Sequence, residues 1–334
     1  MNKTFIIAEA GVNHNGNFKI AKKMINEAKK FKADAIKFQI FNSFEIATKK
    51  ANLANYQKDL KKKKKNQLEM LQSLSLKKNE YIKLKNHCLK KKIEFLCSPF
   101  DENSLKFLIK IGCKNIKIAS GEITNIPLLR LAGKLAKKVI ISTGMANLKE
   151  IKFAYNVLIK AGLNYRNIVI LHCTSVYPAS LDKLNLNFIN ILKRSFKSNI
   201  GYSDHTLDKQ VPSVAVTLGA KIIEKHFTLN RSMNGPDHKA SITPKEFNEV
   251  ILNIRKTEII LGDGKKKISQ TEKKIKRLVR KSIVAKKIIE KGDIFSISNI
   301  TTKRPNDGLS PIFWDKIIGK KSKKFFKINE KIKI

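Results

Sequence analysis

Short apolar runs and longer segments of helical period alternate along the chain. β-branched runs recur at Thr4 to Ala10, Ala35 to Phe41, Ile93 to Phe100, Asn115 to Ser120, Lys138 to Gly144, Asn167 to Cys173, Asn199 to Asp204 and Lys221 to Phe227. Most are separated by segments with apolar residues at helical spacing: Ala21 to Lys30, Glu80 to Lys91, Asn103 to Ile111, Ile126 to Leu135, Leu148 to Ala161 and Leu186 to Phe196. Strands alternating with helices predict a parallel sheet, and eight such strands predict the closed (β/α)8 (TIM) barrel of an α/β protein. An open doubly wound sheet is the competing architecture. It is disfavoured because no Gly-x-Gly-x-x-Gly turn follows the first run, and because polar residues follow nearly every strand rather than gathering at one switch point.

The alternation stops near Gly262. The chain has 334 residues, more than the ~250 of a typical barrel, so a second unit is expected after it. Residues 1–262 are assigned to the barrel, and residues 263–279, starting at Asp263-Gly264-Lys265-Lys266-Lys267, to a charged linker. Residues 280–334 carry short strand-like pieces at Ser282 to Ala285, Ile288 to Ile289, Asp293 to Phe295 and Asn299 to Thr302. They predict a small, mostly β domain, in the size range where ~55 to 65 residues can fold alone.

Composition narrows the setting. No run of ~18 uncharged apolar residues occurs, which argues against a membrane span. The N-terminus enters the first strand without a leader pattern. Cys88, Cys97, Cys113 and Cys173 show no Cys-x-x-Cys spacing, so they are expected to be reduced core thiols in a cytoplasmic protein. Lysine and arginine number 69 against 27 acids, a formal charge of +42. Such a balance would ordinarily point to nucleic acid or an anionic membrane. Yet the lysines are scattered over helical faces, and the densest run, Lys61 to Lys65, has no interleaved aromatics. Solvated surface is the expected role, with no specific nucleic-acid or membrane partner.

The strand ends carry the chemistry, because active sites of such barrels gather at the C-terminal ends of the strands. His205 and His226 each close an apolar run, and two neutral imidazoles from neighbouring strands would suit a divalent metal. Either one alone reads more readily as a hydrogen-bonded structural histidine than as a ligand, so the case rests on what the other strand ends carry. Lys37 and Lys117 point, by alternation, to the interior, where a cation is costly unless an anion meets it. With the hydroxyls of Ser120, Thr143, Ser175 and Ser203 they form a set suited to a phosphate or carboxylate, although strand-end serines and threonines also bond their own backbone. Alternation places Gln39 on the same face as Lys37. Glu9 and Glu122 are the acids best placed for proton transfer. Asp237, in the loop after the last strand, would accept hydrogen bonds from substrate hydroxyls or cap the helix that begins near Pro244.

These residues lie in longer motifs. Glu9-Ala10-Gly11-Val12-Asn13-His14-Asn15-Gly16, Lys37-Phe38-Gln39, Ser142-Thr143-Gly144-Met145-Ala146, Ser203-Asp204-His205-Thr206, Glu224-Lys225-His226-Phe227-Thr228 and Gly235-Pro236-Asp237-His238 occur in this order. Along nearly the whole chain they resemble the bacterial sialic acid synthases (N-acylneuraminate synthases), a family that includes legionaminic and pseudaminic acid synthases. The tail from about Arg280, with Lys303-Arg304-Pro305 and Gly308-Leu309-Ser310-Pro311, resembles the antifreeze-like (SAF) domain that ends these enzymes.

The resemblance implies condensation of phosphoenolpyruvate with an N-acetylmannosamine-type aldehyde to a nine-carbon 2-keto acid, with release of phosphate. His205 and His226 would hold Mn or Mg. Lys37, Lys117, Ser120, Thr143, Ser175 and Ser203 would cradle phosphoenolpyruvate, Gln39, Tyr177 and Asp237 would orient the sugar, and Glu9 and Glu122 would move protons. It also implies a domain-swapped homodimer in which Arg304 reaches the N-acyl group of a substrate in the partner subunit. The chain departs from the family pattern at Ile40, Ser175 and Asn306. The motif around Asp237 looks more like the sialic and legionaminic branches than the pseudaminic one. Two other readings stand beside this one: a lysine aldolase using Lys117 as Schiff-base nucleophile, and a basic binding protein for nucleic acid or membrane.

Overall fold

The computed structural model describes residues 3–53 and 66–333, so the lysine run Lys61 to Lys65 lies outside the described residues. The chain divides into two compact units, Met1–Asp263 and Gly264–Ile334. In the first, the strands are β1 (Phe5–Gly11), β2 (Ala35–Ile40), β3 (Glu94–Pro99), β4 (Asn115–Ile118), β5 (Lys138–Ser142), β6 (Ile168–Cys173), β7 (Asn199–Asp204) and β8 (Ile222–His226). They pair in sequence order, and β8 pairs in parallel with β1 to close the barrel. The helices are α1 (Phe18–Lys30), α2 (Ser43–Ile46), α3 (Gln67–Leu74), α4 (Lys78–Lys91), α5 (Glu102–Lys110), α6 (Ile126–Leu135), α7 (Leu148–Lys160), α8 (Phe188–Ser195), α9 (Val211–Thr217) and α10 (Pro244–Leu261).

Two apolar layers hold the barrel. Outward-facing strand residues such as Ile6, Ile36, Cys97 and Ile141 pack with Met24, Leu84, Leu105 and Leu128 from the helices. Inward-facing Ile7, Leu96, Ile140, Leu171 and Ile222 form a separate cluster inside the barrel. Each such side chain contributes about 1.5–3 kcal/mol by leaving water. The interior is tight at Gly201, where an added Cβ would lie 2.5 Å from Leu171 Cδ2 and from the Ile222 carbonyl oxygen. Two residues further along several strands the inward position turns polar: Ile7 gives way to Glu9, Leu96 to Ser98, Ile140 to Ser142, Gly201 to Ser203 and Ile222 to Glu224. This switch from an apolar to a polar layer puts the chemistry at the C-terminal ends of the strands, as their alternation requires.

The helix starts explain the polar punctuation. Asn17, Asp101, Asn125 and Asn147 accept hydrogen bonds from backbone N–H groups in the first turns of α1, α5, α6 and α7. Thr243 and Glu246 form a capping box at α10. Helix capping therefore falls to Thr243, and the alternative role for Asp237 is set aside.

The second unit differs from its expected layout in two respects. A helix, α11 (Gln270–Val279), occupies most of the segment read as a charged linker. Ser269 and Glu272 form its capping box, a start signal that the flanking lysines obscured. Beyond it, β9 (Ser282–Ala285) and β10 (Ile300–Lys303) form an antiparallel pair, and a short helix, α12 (Trp314–Ile317), follows. The pieces at Ile289 and Ile294 make only isolated bridges, to Phe326 and Lys321. Ile283, Ala285, Ile289, Phe295, Ile300, Ile317, Phe326 and Ile332 make this unit's own core. Among the described residues no helix is long and apolar enough to cross a membrane.

Candidate active site

Four charged side chains meet at the polar layer of the barrel. Lys37 Nζ lies 3.1 Å from Glu9 Oε2 and 3.4 Å from Glu224 Oε1, and Lys117 Nζ lies 3.6 Å from the same Glu224 oxygen. All four are buried. Lys37 donates to Ser98 Oγ, Lys117 to Ser142 Oγ at 2.7 Å, and Ser203 Oγ to Glu224 Oε1 at 3.0 Å. The cluster is self-neutralised, which is how two lysines tolerate a low-dielectric interior.

The two carboxyls titrate apart. Burial pushes Glu9 up to about 7, against the opposing pull of Lys37. Burial would raise Glu224 as well, but Lys117 and Lys37 outweigh it and bring that carboxyl down to about 2. Glu224 is thus the fixed counter-ion, while Glu9 exchanges a proton near neutrality, as a general acid or base needs. Burial lowers Lys117, and Glu224 opposes it without prevailing. Lys37 ends raised, because Glu224 and Glu9 together overcome its burial.

A cavity of about 530 Å³ opens above this cluster. Of the residues singled out from the sequence, Glu9, Lys37, Gln39, Ser120, Glu122, Ser175, Tyr177, Ser203, His205, His226 and Asp237 line it. Lys117 sits within the buried cluster. Thr143 is buried too, and donates its hydroxyl proton to the Leu171 carbonyl at 2.9 Å, the backbone bonding that strand-end threonines make. Arg304 is an exposed residue of the second unit. Ser120 Oγ accepts from Gly144 N at 3.0 Å, and a Cβ on Gly144 would collide with Ser175 Oγ at 2.0 Å. Gly144 thereby lets the hydroxyls at the ends of β4 and β6 approach. Gln39 donates to Glu9 Oε1 at 3.2 Å, and Tyr81 of α4 fixes Gln39 through its carbonyl oxygen. Glu122 accepts from Asn125 Nδ2, and its partial burial raises its pKa. Burial lifts Asp237 to about 6.

The histidine pair faces the cavity from β8 and the residue after β7. The rings of His205 and His226 are 5.2 Å apart, and Tyr177 packs 4.2 Å from His205 and 5.6 Å from His226. His205 Nδ1 lies 2.7 Å from the Thr174 carbonyl oxygen. A carbonyl only accepts, so Nδ1 carries a proton; burial lowers this ring, but Cys173 and the Thr174 carbonyl outweigh it and raise it above the usual histidine range, so Nε2 would ligate a metal once its own proton is lost. His226 Nδ1 is buried without a hydrogen-bond partner, and burial, then His205, pushes this ring well below the usual histidine range, so it is neutral. The two imidazoles, with His226 Nδ1 unpartnered, would supply two ligands to a divalent ion whose remaining positions fall to water and substrate. Among the described residues no group of three or more His, Cys, Asp or Glu side chains is arranged to hold one.

A second network holds the loop that presents Asp237. His238 Nδ1 meets Thr228 Oγ1 at 2.7 Å and its Nε2 meets Asn15 Oδ1 at 3.2 Å; Asn13 Nδ2 donates to Ser241 Oγ, which donates to the Asp237 carbonyl oxygen. His14 and His238 are both lowered to about 4 by burial, and His238 further depresses His14. The unfolded chain binds protons on these rings below about 6.5 while the folded one does not, so stability is full above that pH and falls as the pH drops toward 4. A His238→Gln variant is expected to show a shallower fall in melting temperature between pH 6.5 and 4 than the wild type. Identical slopes in calorimetry would remove the histidine clasp as the cause.

Several contributors were not singled out from the sequence. Glu224 belongs to the Glu-Lys-His motif, and period-2 alternation puts it on the same face as His226. Ser98 and Ser142 were legible in the same way. The apolar side of the cavity, with Val12, Phe41, Met70, Leu71, Leu74 and Phe100, had no sequence signal, since α3 reads as any amphipathic turn.

Comparison with known proteins agrees with this geometry. Residues 24–266 match the NeuB family and residues 280–333 the SAF domain. The chain is 48% identical over 333 residues to the N,N'-diacetyllegionaminic acid synthase of Campylobacter jejuni, covering 100% of both chains. It is 42% identical to the enzyme of that name from Legionella pneumophila, covering 94% of this chain and 89% of the other. A crystal structure of N-acetylneuraminic acid (sialic acid) synthetase from Leptospira borgpetersenii superposes with a TM-score of 0.74 at 37% identity, covering 82% of this chain and 90% of that one. A closed eight-stranded barrel, a buried lysine–carboxylate cluster beneath two histidines, and full-length similarity place this chain in the NeuB family, with a SAF domain at its end.

Proposed function

We propose that this protein condenses phosphoenolpyruvate with the open-chain aldehyde of an N-acetylated amino sugar to give a nine-carbon 2-keto sugar acid and phosphate. The observation that carries this reading is one cavity in which buried Lys37 and a set of hydroxyls face His205 and His226, with Lys117 in the same buried charged cluster. An anion entering from above meets Lys37 and Lys117, whose present counter-ions are Glu9 and Glu224. Ser120, Ser175 and Ser203 add hydroxyls, and Thr143 adds one once its proton turns from the Leu171 carbonyl. In the reaction, carbon 3 of phosphoenolpyruvate bonds to the aldehyde carbon, water adds at carbon 2, and the C–O bond to phosphate breaks. Glu9, exchanging its proton near pH 7, and Glu122 are the groups to move protons to the new hydroxyl and from the water.

His205 and His226 would hold a Mn or Mg ion, which when bound supplies a Lewis acid for the aldehyde oxygen. Gln39, Tyr177 and Asp237 orient the sugar. The apolar side of the cavity suits acetamido methyl groups, which, with the names of its relatives, favours a 2,4-diacetamido-trideoxy hexose over N-acetylmannosamine. The reading extends to a cytoplasmic homodimer in which Arg304 reaches the acyl group of a sugar held by the partner subunit; a fully active monomer would sink that extension. The barrel spans residues 1–262 in this scheme, the connector 263–279, and the SAF domain 280–334.

A phosphate-release assay with phosphoenolpyruvate, Mn and a panel of these sugars tests the proposal. Release is expected only with both substrates, fastest with the diacetamido sugar, and lost on chelation. Turnover that ignores a chelator would sink the metal site, and faster reaction with N-acetylmannosamine would sink the sugar choice. One observation favours a second reading: burial lowers Lys117, as a Schiff-base nucleophile requires. Borohydride trapping of pyruvate on Lys117 would establish an aldolase instead.

A further inference from the structure

The side chains between the strand ends and the helices include one buried ion pair that the proposed reaction does not use. Asp204 and Lys225 are opposite each other in the β7–β8 ladder, the last paired register before His205 and His226. Alternation points both outward, away from the cavity that the histidines line. Their side chains are 0% and 1% exposed. Lys225 Nζ bonds Asp204 Oδ2, the Thr206 carbonyl oxygen at 2.8 Å and the Asp208 carbonyl oxygen at 3.0 Å. Asp204 Oδ1 accepts from Thr206 N at 2.9 Å.

An ammonium has three protons, and each has a short acceptor here. Two of those acceptors follow His205 in sequence and one precedes it. The backbone on both sides of His205 is therefore tied to the residue immediately before His226. Among the described residues the β7–β8 pairing ends at Asp204 and Lys225, and while His226 is still paired with Glu9 of β1, no ladder pairs it with His205. A buried pair of this kind does little for net stability compared with apolar packing, which leaves geometric specificity as its distinctive contribution.

We infer that Asp204 and Lys225 are positioning residues that set the spacing of His205 and His226 for a divalent cation. The inference rests on the metal role proposed above. The test measures Mn²⁺ affinity directly, by the electron paramagnetic resonance signal of the free ion, on the full-length wild type and on Asp204→Asn, His205→Ala and an Asp204→Leu/Lys225→Met double variant. The double variant removes both charges together, so the test stays readable if a single change unfolds the barrel.

Asp204→Asn and the double variant are expected to bind Mn²⁺ about 10- to 100-fold more weakly, while the KM for phosphoenolpyruvate stays within about twofold, because the anion cradle lies on other side chains. A merely structural role would instead lower the melting temperature and leave the Mn²⁺ affinity of the folded fraction unchanged, which would overturn the inference. If wild type and His205→Ala bind Mn²⁺ equally poorly, the metal site itself fails and the positioning role falls with it. If His205→Ala loses affinity and both charge variants keep it, the metal site stands and only the positioning role is lost.

Discussion

A His205→Ala variant is expected to remain folded and to lose on the order of a thousandfold in turnover, about 4 kcal/mol of transition-state stabilisation. The backbone there is held independently of the ring: the His205 carbonyl accepts from Ala179 N at 3.0 Å, and Asp204 and Lys225 clamp the chain on either side. Truncation should therefore remove the imidazole without moving β7. Chelation of the wild type is expected to cause a loss of the same size, and chelation of the variant little more, because two changes that abolish one interaction do not add. Steady-state phosphate release with and without chelator measures both. A variant that loses activity beside a wild type indifferent to chelation would instead assign His205 to acid–base work.

That His205 and His226 converge was legible only as a possibility in the sequence. Alternation gives the face of each residue on its own strand, and eight βα repeats give the closure that turns one face into an interior. Together these place Glu9, Lys37, Lys117, Ser203 and His226 on the interior face. The barrel was legible because its strands and helices have different periods, and apolar runs this regular have few other packings. Sequence patterns could not give the distances between side chains. Whether Lys117 meets Glu224 or Glu9 depends on the stagger of strands around the barrel, and the ladder registers that fix it are set by packing at every interface together.

Other features escaped for different reasons. The helix Gln270–Val279 was hidden because its lysine-rich composition suggested a solvated connector, and helical propensity is a weak signal where no face is buried. The apolar side of the cavity depends on α3 folding back over β1 and β2, through contacts of Met70 and Leu74 with Val12. Nothing local to Gln67–Leu74 specifies that return. The histidine clasp of His14 and His238 was invisible for the same reason: its two halves are over two hundred residues apart and meet only because β8 closes on β1.

Glu224 leads to the second large effect. It accepts from Ser203 and lies within 3.6 Å of both buried lysines, so a Glu224→Gln change keeps the shape and removes the charge that balances them. Lys37 retains Glu9 at 3.1 Å, but Lys117 is left with only hydroxyl and carbonyl partners among the described residues. Leaving a buried charge without its partner costs about 3–5 kcal/mol, a fall in melting temperature on the order of 10 °C for a barrel of this size. Phosphoenolpyruvate is expected to reverse it. In the wild type an incoming anion competes with Glu224 for Lys37 and Lys117; in the variant it supplies the missing charge, so its binding stabilises the folded state more. Calorimetry with and without phosphoenolpyruvate, or inorganic phosphate as a partial mimic, should thus give a larger upward shift for Glu224→Gln than for wild type. Equal shifts would mean that the anion does not bind at the lysines. An unchanged melting temperature without ligand would mean that the cluster is hydrated and that Glu224 is not its counter-ion.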